Sequence, residues 1–280
     1  MPLVDINDFS FKYYGADRLA LKKINLTIEE GEYVVITGPS GCGKTTLCRT
    51  INALVPQFHR GYIAGNVIVQ GMNTREHNVA EYAALTGMVF QQPENQLVTL
   101  NVEKEIAFGP ENLGVDPKEV RKRVEELIEL LDLEHLRDKH PHEMSGGEQQ
   151  RVAIAATLAL KPKILVADEP TSNLDPKSAE TILKIISALN KRDLTVILVE
   201  HRLDLVSKDA SRVLLMNEGR IVSDGPPREV LTQDICQEIG VGVPKATLLY
   251  KRLLERGIDL GKVPLSGDEL AGLVKEVSVQ

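Results

Sequence analysis

Tryptophan is absent from this 280-residue sequence, and the other large aromatics are five Phe and six Tyr. So few rings leave little material for a platform that stacks nucleic-acid bases. A basic excess is lacking too, since 33 Lys and Arg against 40 Asp and Glu give a formal charge of −7. That balance runs against the basic stripe with which nucleic-acid binders grip phosphates. The cysteines are few (Cys42, Cys48 and Cys236) and show no CxxC spacing. They supply neither a disulfide framework nor a zinc site, and a reducing cytosol is the expected setting. Long apolar runs are missing as well. Runs such as Tyr33–Ile36, Ile164–Ala167 and Val196–Val199 are short, far below the roughly 18 residues a membrane span needs. Met1-Pro2-Leu3-Val4-Asp5 carries no basic or long apolar stretch, so no signal peptide is expected.

What is present is an ordinary globular balance, 42% apolar and 26% charged, in a length that suits one large domain or a domain with an appendage. Asn7–Tyr14 alternates, which predicts a strand with Phe9, Phe11 and Tyr13 on one face. The runs Tyr33–Thr37, Gly87–Phe90, Ile164–Ala167 and Thr195–Val199 are continuous and apolar, as strands of a parallel sheet buried on both faces are. Helical patterns lie between them. Asp116-Pro117 opens a stripe at Val120, Val124, Leu127, Ile128 and Leu131, and Asp175-Pro176 opens another at Ala179, Ile182, Ile186 and Leu189. Strand–helix alternation predicts an α/β fold. Residues 92–160 read as an inserted helical subdomain. After about Thr232, Pro244 precedes a stripe of Ala246, Leu249, Leu253 and Leu254 that Gly257 ends. Ser266 and Glu269 then cap a stripe of Leu270, Leu273, Val274 and Val277.

The chemistry begins at Gly38-Pro39-Ser40-Gly41-Cys42-Gly43-Lys44-Thr45, which fits G-x-x-x-x-G-K-[ST] directly after a strand and before the helix-compatible run Thr46–Leu54. Such a loop turns successive N–H groups toward phosphate oxygens. Lys44 supplies a compact positive charge for the β and γ phosphates, and Thr45 a hydroxyl for Mg²⁺. A glycine-rich turn that binds nothing is the blander account, but a chance match in a chain this long is about one in a hundred. Ile164–Ala167 ends in Asp168-Glu169, carboxylates suited to hold Mg²⁺ and to polarise an attacking water. His201 and Gln91 follow two other strands, and ligands gather at the carboxyl ends of a parallel sheet. A lone His is more often a surface or core residue than a catalytic one, and a Gln at a strand end means little by itself.

Met144-Ser145-Gly146-Gly147-Glu148-Gln149-Gln150-Arg151 opens a further helix. Ser145 and Glu148 have capping-box spacing, but two glycines in a first turn weaken a helix. They also clear space for a phosphate to approach backbone N–H groups. One chain already has a phosphate loop, so this second anion site is expected to serve a neighbour's nucleotide. The arrangement would be a head-to-tail dimer with ATP sandwiched between the two.

In order, these motifs resemble those of ATP-binding cassette (ABC) ATPases over about residues 3–232. The resemblance implies a RecA-like P-loop NTPase core with an N-terminal antiparallel β part, within a domain of residues 1–232. The inserted subdomain would be residues 92–160, and residues 233–280 would form a C-terminal helical domain for ATPase–ATPase contact. ATP and Mg²⁺ are the implied ligands. Tyr13 would stack on adenine, with Gly38 through Thr46 on the phosphates and Thr45, Gln91 and Asp168 on Mg²⁺. Glu169 would be the general base, His201 the γ-phosphate contact and Gln91 a further participant. Ser145, Gly146, Gly147 and Glu148 would reach the neighbour's nucleotide, and Asp175 of Ser172-Asn173-Leu174-Asp175 would link the two sites. Tyr13 could also be a core aromatic, and Asp175 a helix cap. Where the family usually has Leu-Ser-Gly-Gly-Gln, this chain has Met144 and Glu148, and Glu148 is expected to cap its own helix.

Gln92-Pro93-Glu94-Asn95-Gln96-Leu97 and the tail from Cys236 to Val277 resemble the ATPases of energy-coupling factor (ECF) importers of vitamins and transition-metal ions. That likeness implies a second ATPase chain, identical or related, a transmembrane coupling subunit docking near Pro93–Val98, and a substrate-binding membrane subunit. The setting would be the cytoplasmic face of a prokaryotic plasma membrane, with no nucleic acid involved. A conventional ABC transporter is the alternative. A soluble ABC ATPase would be favoured by a coiled-coil insertion or a tandem cassette, which the sequence lacks, and a small-molecule kinase would leave Ser145-Gly146-Gly147 without a task.

Overall fold

The computed structural model describes the backbone of residues 2–278 and the side chains of residues 2–276. Met1, the side chains of Val277 and Ser278, and Val279 and Gln280 at the end of the expected appendage lie outside the described residues. The strands are β1 (Val4–Tyr13), β2 (Leu21–Ile28), β3 (Tyr33–Thr37), β4 (Gly61–Val69), β5 (Met72–Asn73), β6 (Thr86–Val89), β7 (Ile164–Asp168), β8 (Thr195–Val199), β9 (Arg212–Asn217) and β10 (Arg220–Gly225). They form an antiparallel sheet in the order β2-β1-β4-β5 and a larger sheet in the order β10-β9-β3-β8-β7-β6. Within the larger sheet β9, β3, β8, β7 and β6 run parallel, and β10 is antiparallel to β9. This is the mixed α/β cassette the sequence predicts.

The central strands of the larger sheet, β3, β6, β7 and β8, are buried on both faces, as their nearly continuous apolar runs require. Val34, Ile36, Val166 and Val199 pack with the antiparallel sheet and with Leu47 and Ile51. Val35, Leu165, Leu198 and Leu215 face the other way, toward Ile182 and Ile186. In β1 the simple alternation breaks, with a register shift around Asn7 and Asp8 and Asp8 at φ +44. The bulge resets the phase, so Ile6 and Phe9, three positions apart, both face the core. Tyr13 is only half-buried.

Between β6 and β7 the chain is helical, with Val102–Asn112, Pro117–Leu130 and Gly146–Leu158 as the longer helices. Asp116 caps the second through its side chain, and Val120, Val124, Leu127 and Ile128 are buried as the stripe predicts. Beyond β10, Cys236, Val241, Val243 and Leu265 join the same buried cluster as Val213 and Leu215. Among the described residues no helix is long and apolar enough to cross a membrane.

Three local expectations change. The helix after the glycine loop starts at Lys44 but stops at Ile51, short of the end of the helix-compatible run at Leu54, because Ala53 takes a left-handed conformation at φ +61. The Lys245–Leu254 helix does not bury a leucine stripe: Ala246, Thr247 and Tyr250 face inward while Leu249 and Leu254 are exposed. Hydrogen bonds from the Thr247 hydroxyl to the Pro264 carbonyl and from the Tyr250 hydroxyl to Asp259 select that face. Gly257 does end it, at φ +82, with the Ile258 N–H on the Leu253 carbonyl. Ser266 caps the last helix through the Glu269 N–H, but the Glu269 carboxylate turns to Arg228 instead of closing a capping box.

Candidate functional site

The glycine loop leaves β3 at its carboxyl end and feeds the Lys44–Ile51 helix. Gly43 sits at φ +112, and a Cβ there would come within 2.6 Å of the Ala20 carbonyl. Only glycine fits both the backbone and the space. Ser40 and Gly41 are exposed at the loop's tip, whereas Gly38 and Cys42 are buried and Pro39 is partly buried. Burial pushes the Cys42 thiol up. The Lys44 side chain is buried beneath the loop, and its Nζ donates to the carbonyls of Gly38 at 3.0 Å and Pro39 at 3.1 Å. Those bonds hold the cation where a phosphate would replace or join the carbonyls. The Thr46 hydroxyl lies 3.2 Å from the Tyr13 hydroxyl, which ties the aromatic ring to the loop's helix. Tyr13 is edge-on to Phe11 and His59, with centroids 4.7 and 6.1 Å away.

Parallel pairing of β7 with β8 sets Asp168 opposite Val199, so the residues just past both strands meet. Glu169 is the meeting point. Its Oε1 is 3.1 Å from His201 Nε2 and 3.9 Å from Lys44 Nζ, and its Oε2 accepts from Gln91 Nε2 at 3.2 Å. Its backbone is left-handed, at φ +50, and is held by the N–H bonding to the Val199 carbonyl at 3.1 Å. A non-glycine residue pinned in that region aims its side chain at the cost of local strain.

Asp168 is 5% exposed, and its Oδ1 is buried without a hydrogen-bond partner. Burial pushes its carboxyl up, against the pull of a hydrogen bond with the Thr45 side chain. An orphaned buried carboxylate oxygen beside a hydroxyl is a donor set suited to a hard cation. Among the described residues no group of three or more His, Cys, Asp or Glu is arranged to hold a metal.

Lys44, Thr45, Gln91, Asp168, Glu169 and His201 are thus brought together. Ser145, Gly146, Gly147, Glu148 and Asp175 stand apart: among the described residues no hydrogen bond or ion pair joins them to the glycine loop. Ser145 and Glu148 form the capping box, with Glu148 Oε2 accepting from the Ser145 N–H and hydroxyl at 2.7 Å each. These bonds hold the Glu148 carboxyl below its usual range, and His135 Nε2 is 3.7 Å from its other oxygen. Ser145 and Gly146 are exposed. Gly147 has a second reason to be glycine, since a Cβ would lie 2.9 Å from Ser178 Oγ. Asp175 accepts from the N–H groups of Lys177 and Ser178 and so caps its helix.

Sequence reasoning passed over Glu200. It is 3% exposed and bonds Thr171, His201 and Arg202. Its signal was available, since a carboxylate closing the apolar run Thr195–Val199 repeats the pattern that singled out Asp168.

The protein family described as ABC transporter matches residues 21–172. The cobalt import ATP-binding protein CbiO of Syntrophus aciditrophicus is 43% identical over 260 residues, covering 92% of this chain and 91% of that protein. The energy-coupling factor transporter ATP-binding protein EcfA1 of Clostridium perfringens is 38% identical over 275 residues, covering 96% of each. A solved dimeric ATP-binding cassette, in a post-hydrolysis state bound to ADP and Pi, is 31% identical with a TM-score of 0.70, covering 80% of this chain and 99% of its own.

Proposed function

Because the chain belongs to the ABC transporter family and is an ATP-binding subunit whose ATP hydrolysis is coupled to transport, we propose that it energises an ECF-type importer of a vitamin or transition-metal ion. One observation carries the hydrolytic reading: Lys44, Gln91 and His201 converge on the Glu169 carboxylate beside the orphaned Asp168 oxygen.

In this mechanism the backbone of Gly38–Gly43 and the Lys44 ammonium take the β and γ phosphates, and Tyr13 stacks on adenine. Thr45, Asp168 and Gln91 hold Mg²⁺, which supplies charge neutralisation on the phosphate oxygens when bound. Glu169 accepts a proton from the attacking water as its oxygen bonds to the γ-phosphorus and the bond to ADP breaks. His201 contacts the γ-phosphate. The exposed Ser145 helix start, with Gly146, Gly147 and Glu148, closes on the γ-phosphate held by a second ATPase chain, identical or related, and Asp175 bridges the two sites. The dimeric likeness with ADP and Pi supports this assembly.

The stretch Pro93–Val98 docks a transmembrane coupling subunit, which works with a substrate-binding membrane subunit at the cytoplasmic face of a prokaryotic plasma membrane. Supporting this, Val98 and Leu100 are each 67% exposed. Gln96 anchors the stretch to Phe90, Met88 and Thr157, and the buried Glu105 accepts the N–H groups of Val98 and Thr99. A groove of about 270 Å³ lies beside it, bounded by Phe90, Gln96 and Phe108.

Gel filtration of Glu169→Gln with and without Mg-ATP tests the assembly. ATP-dependent dimer formation is the expected result. A chain that stays monomeric at saturating ATP removes the homodimeric sandwich and leaves a heteromeric one to be tested with a related ATPase.

A further inference from the structure

Resting on the hydrolytic reading above, we infer that Glu200, Thr171 and Arg202 are positioning residues that strap the His201 turn to the Thr171–Asp175 loop, so that both move as one piece. His201 is an exposed side chain whose one polar contact among the described residues is Glu169. Its placement therefore depends on its backbone. Glu200 governs that backbone. Its own N–H bonds the Ile36 carbonyl at the end of the strand that feeds the glycine loop, at 3.2 Å. Its Oε1 accepts the N–H groups of His201 at 2.8 Å and Arg202 at 2.9 Å, and its Oε2 accepts the hydroxyl of the fully buried Thr171. A buried carboxylate is costly unless its oxygens are satisfied, and here each oxygen is satisfied by one side of the strap.

Arg202 closes the other end. Its Nη2 donates to the Leu174 carbonyl at 3.0 Å. Leu174 in turn borders the Ser145 helix start, since a Cβ on Gly146 would stand 3.5 Å from Leu174 Cδ2. The loop from Thr171 to Leu174 therefore spans from the turn that carries His201 to the exposed glycine that would serve the neighbour's nucleotide. Displacing either end of the strap displaces His201 relative to Glu169, without touching Tyr13 or the Gly38–Thr46 loop.

The test uses the full chain with Thr171→Val, Thr171→Ser and Arg202→Met, each with and without His201→Ala. Turnover, ATP KM and Tm are measured for all. Thr171→Val and Arg202→Met are expected to lower kcat about ten- to a hundredfold, as sub-ångström to ångström misplacement does, while KM stays within about twofold. Thr171→Ser keeps the hydroxyl and should restore kcat. In the His201→Ala background neither substitution should lower kcat further, because the group they position is gone. Arg202 is only partly buried, unlike Thr171, so its variant reads the strap even if Thr171→Val folds poorly. Unchanged kcat in Arg202→Met, or an equal fall with and without His201, overturns the strap. Full turnover by His201→Ala alone would instead overturn the role of His201 in hydrolysis, and the strap with it.

Discussion

Glu169 Oε1 and His201 Nε2 lie 3.1 Å apart although 32 positions separate them. The contact follows from parallel pairing: Asp168 is opposite Val199, so the residues just beyond both strand ends face the same crevice. Lys44 reaches it from the helix start that follows β3, and Gln91 from just past the end of β6.

Glu169→Gln should cut ATP turnover by roughly 10²–10⁴-fold, the usual weight of a general base, while ATP binding persists. Phosphate release and equilibrium nucleotide binding, measured on the same preparation, check it. Retained turnover would move the base elsewhere.

Gly147→Ala should destabilise the chain by about 1–3 kcal/mol, the usual range for overpacking, because the new methyl would meet Ser178 Oγ and Cβ at 2.9 and 3.0 Å. Adding Ser178→Gly should recover much of the lost Tm. If turnover stays low in that repaired double variant, the glycine is needed for an incoming phosphate and not only for helix packing.

Glu148→Gln should change ATPase activity less than about tenfold, since Gln also completes a capping box. A larger gain would reveal electrostatic opposition to phosphate. The same pair of proteins gives a pH signature. The Ser145 hydroxyl and N–H hold the Glu148 carboxyl below its usual range. Its stabilisation is therefore complete above the unfolded value near 4.3 and is lost as pH falls through the lowered folded value. Thermal melts from neutral pH to about pH 3 should show the difference between the two proteins fading on the acid side.

Asp175→Asn preserves a good N-cap, whereas Asp175→Ala should cost about 0.5–2 kcal/mol of stability. If Asp175 also links the two nucleotide sites through its charge, Asn will melt like wild type yet show lower turnover. Equal turnover in wild type and Asn would reduce the residue to a cap.

Local chemistry made much of the fold readable. Continuous apolar runs such as Tyr33–Thr37 and Thr195–Val199 are buried at every position, because a sheet covered on both faces leaves no polar side. Asp116, Ser145 and Asp175 cap the helices they were expected to cap, since capping is settled within one turn. The C-terminal stripe was misread for the complementary reason. Leu249 and Leu254 are apolar, but which face of that helix turns inward depends on Pro264 and Asp259, outside the helix itself.

From its own order of residues the chain dictated four of the five parallel strands, the glycine loop after β3 and the residue types at the strand ends, because backbone sterics and periodic burial act over short stretches. Only the tertiary structure decided that Glu169 gathers Lys44, Gln91 and His201, that Asp168 keeps an oxygen without a partner, and that Glu200 holds the His201 turn. Those relations depend on strand order and register, which set segments far apart in sequence side by side.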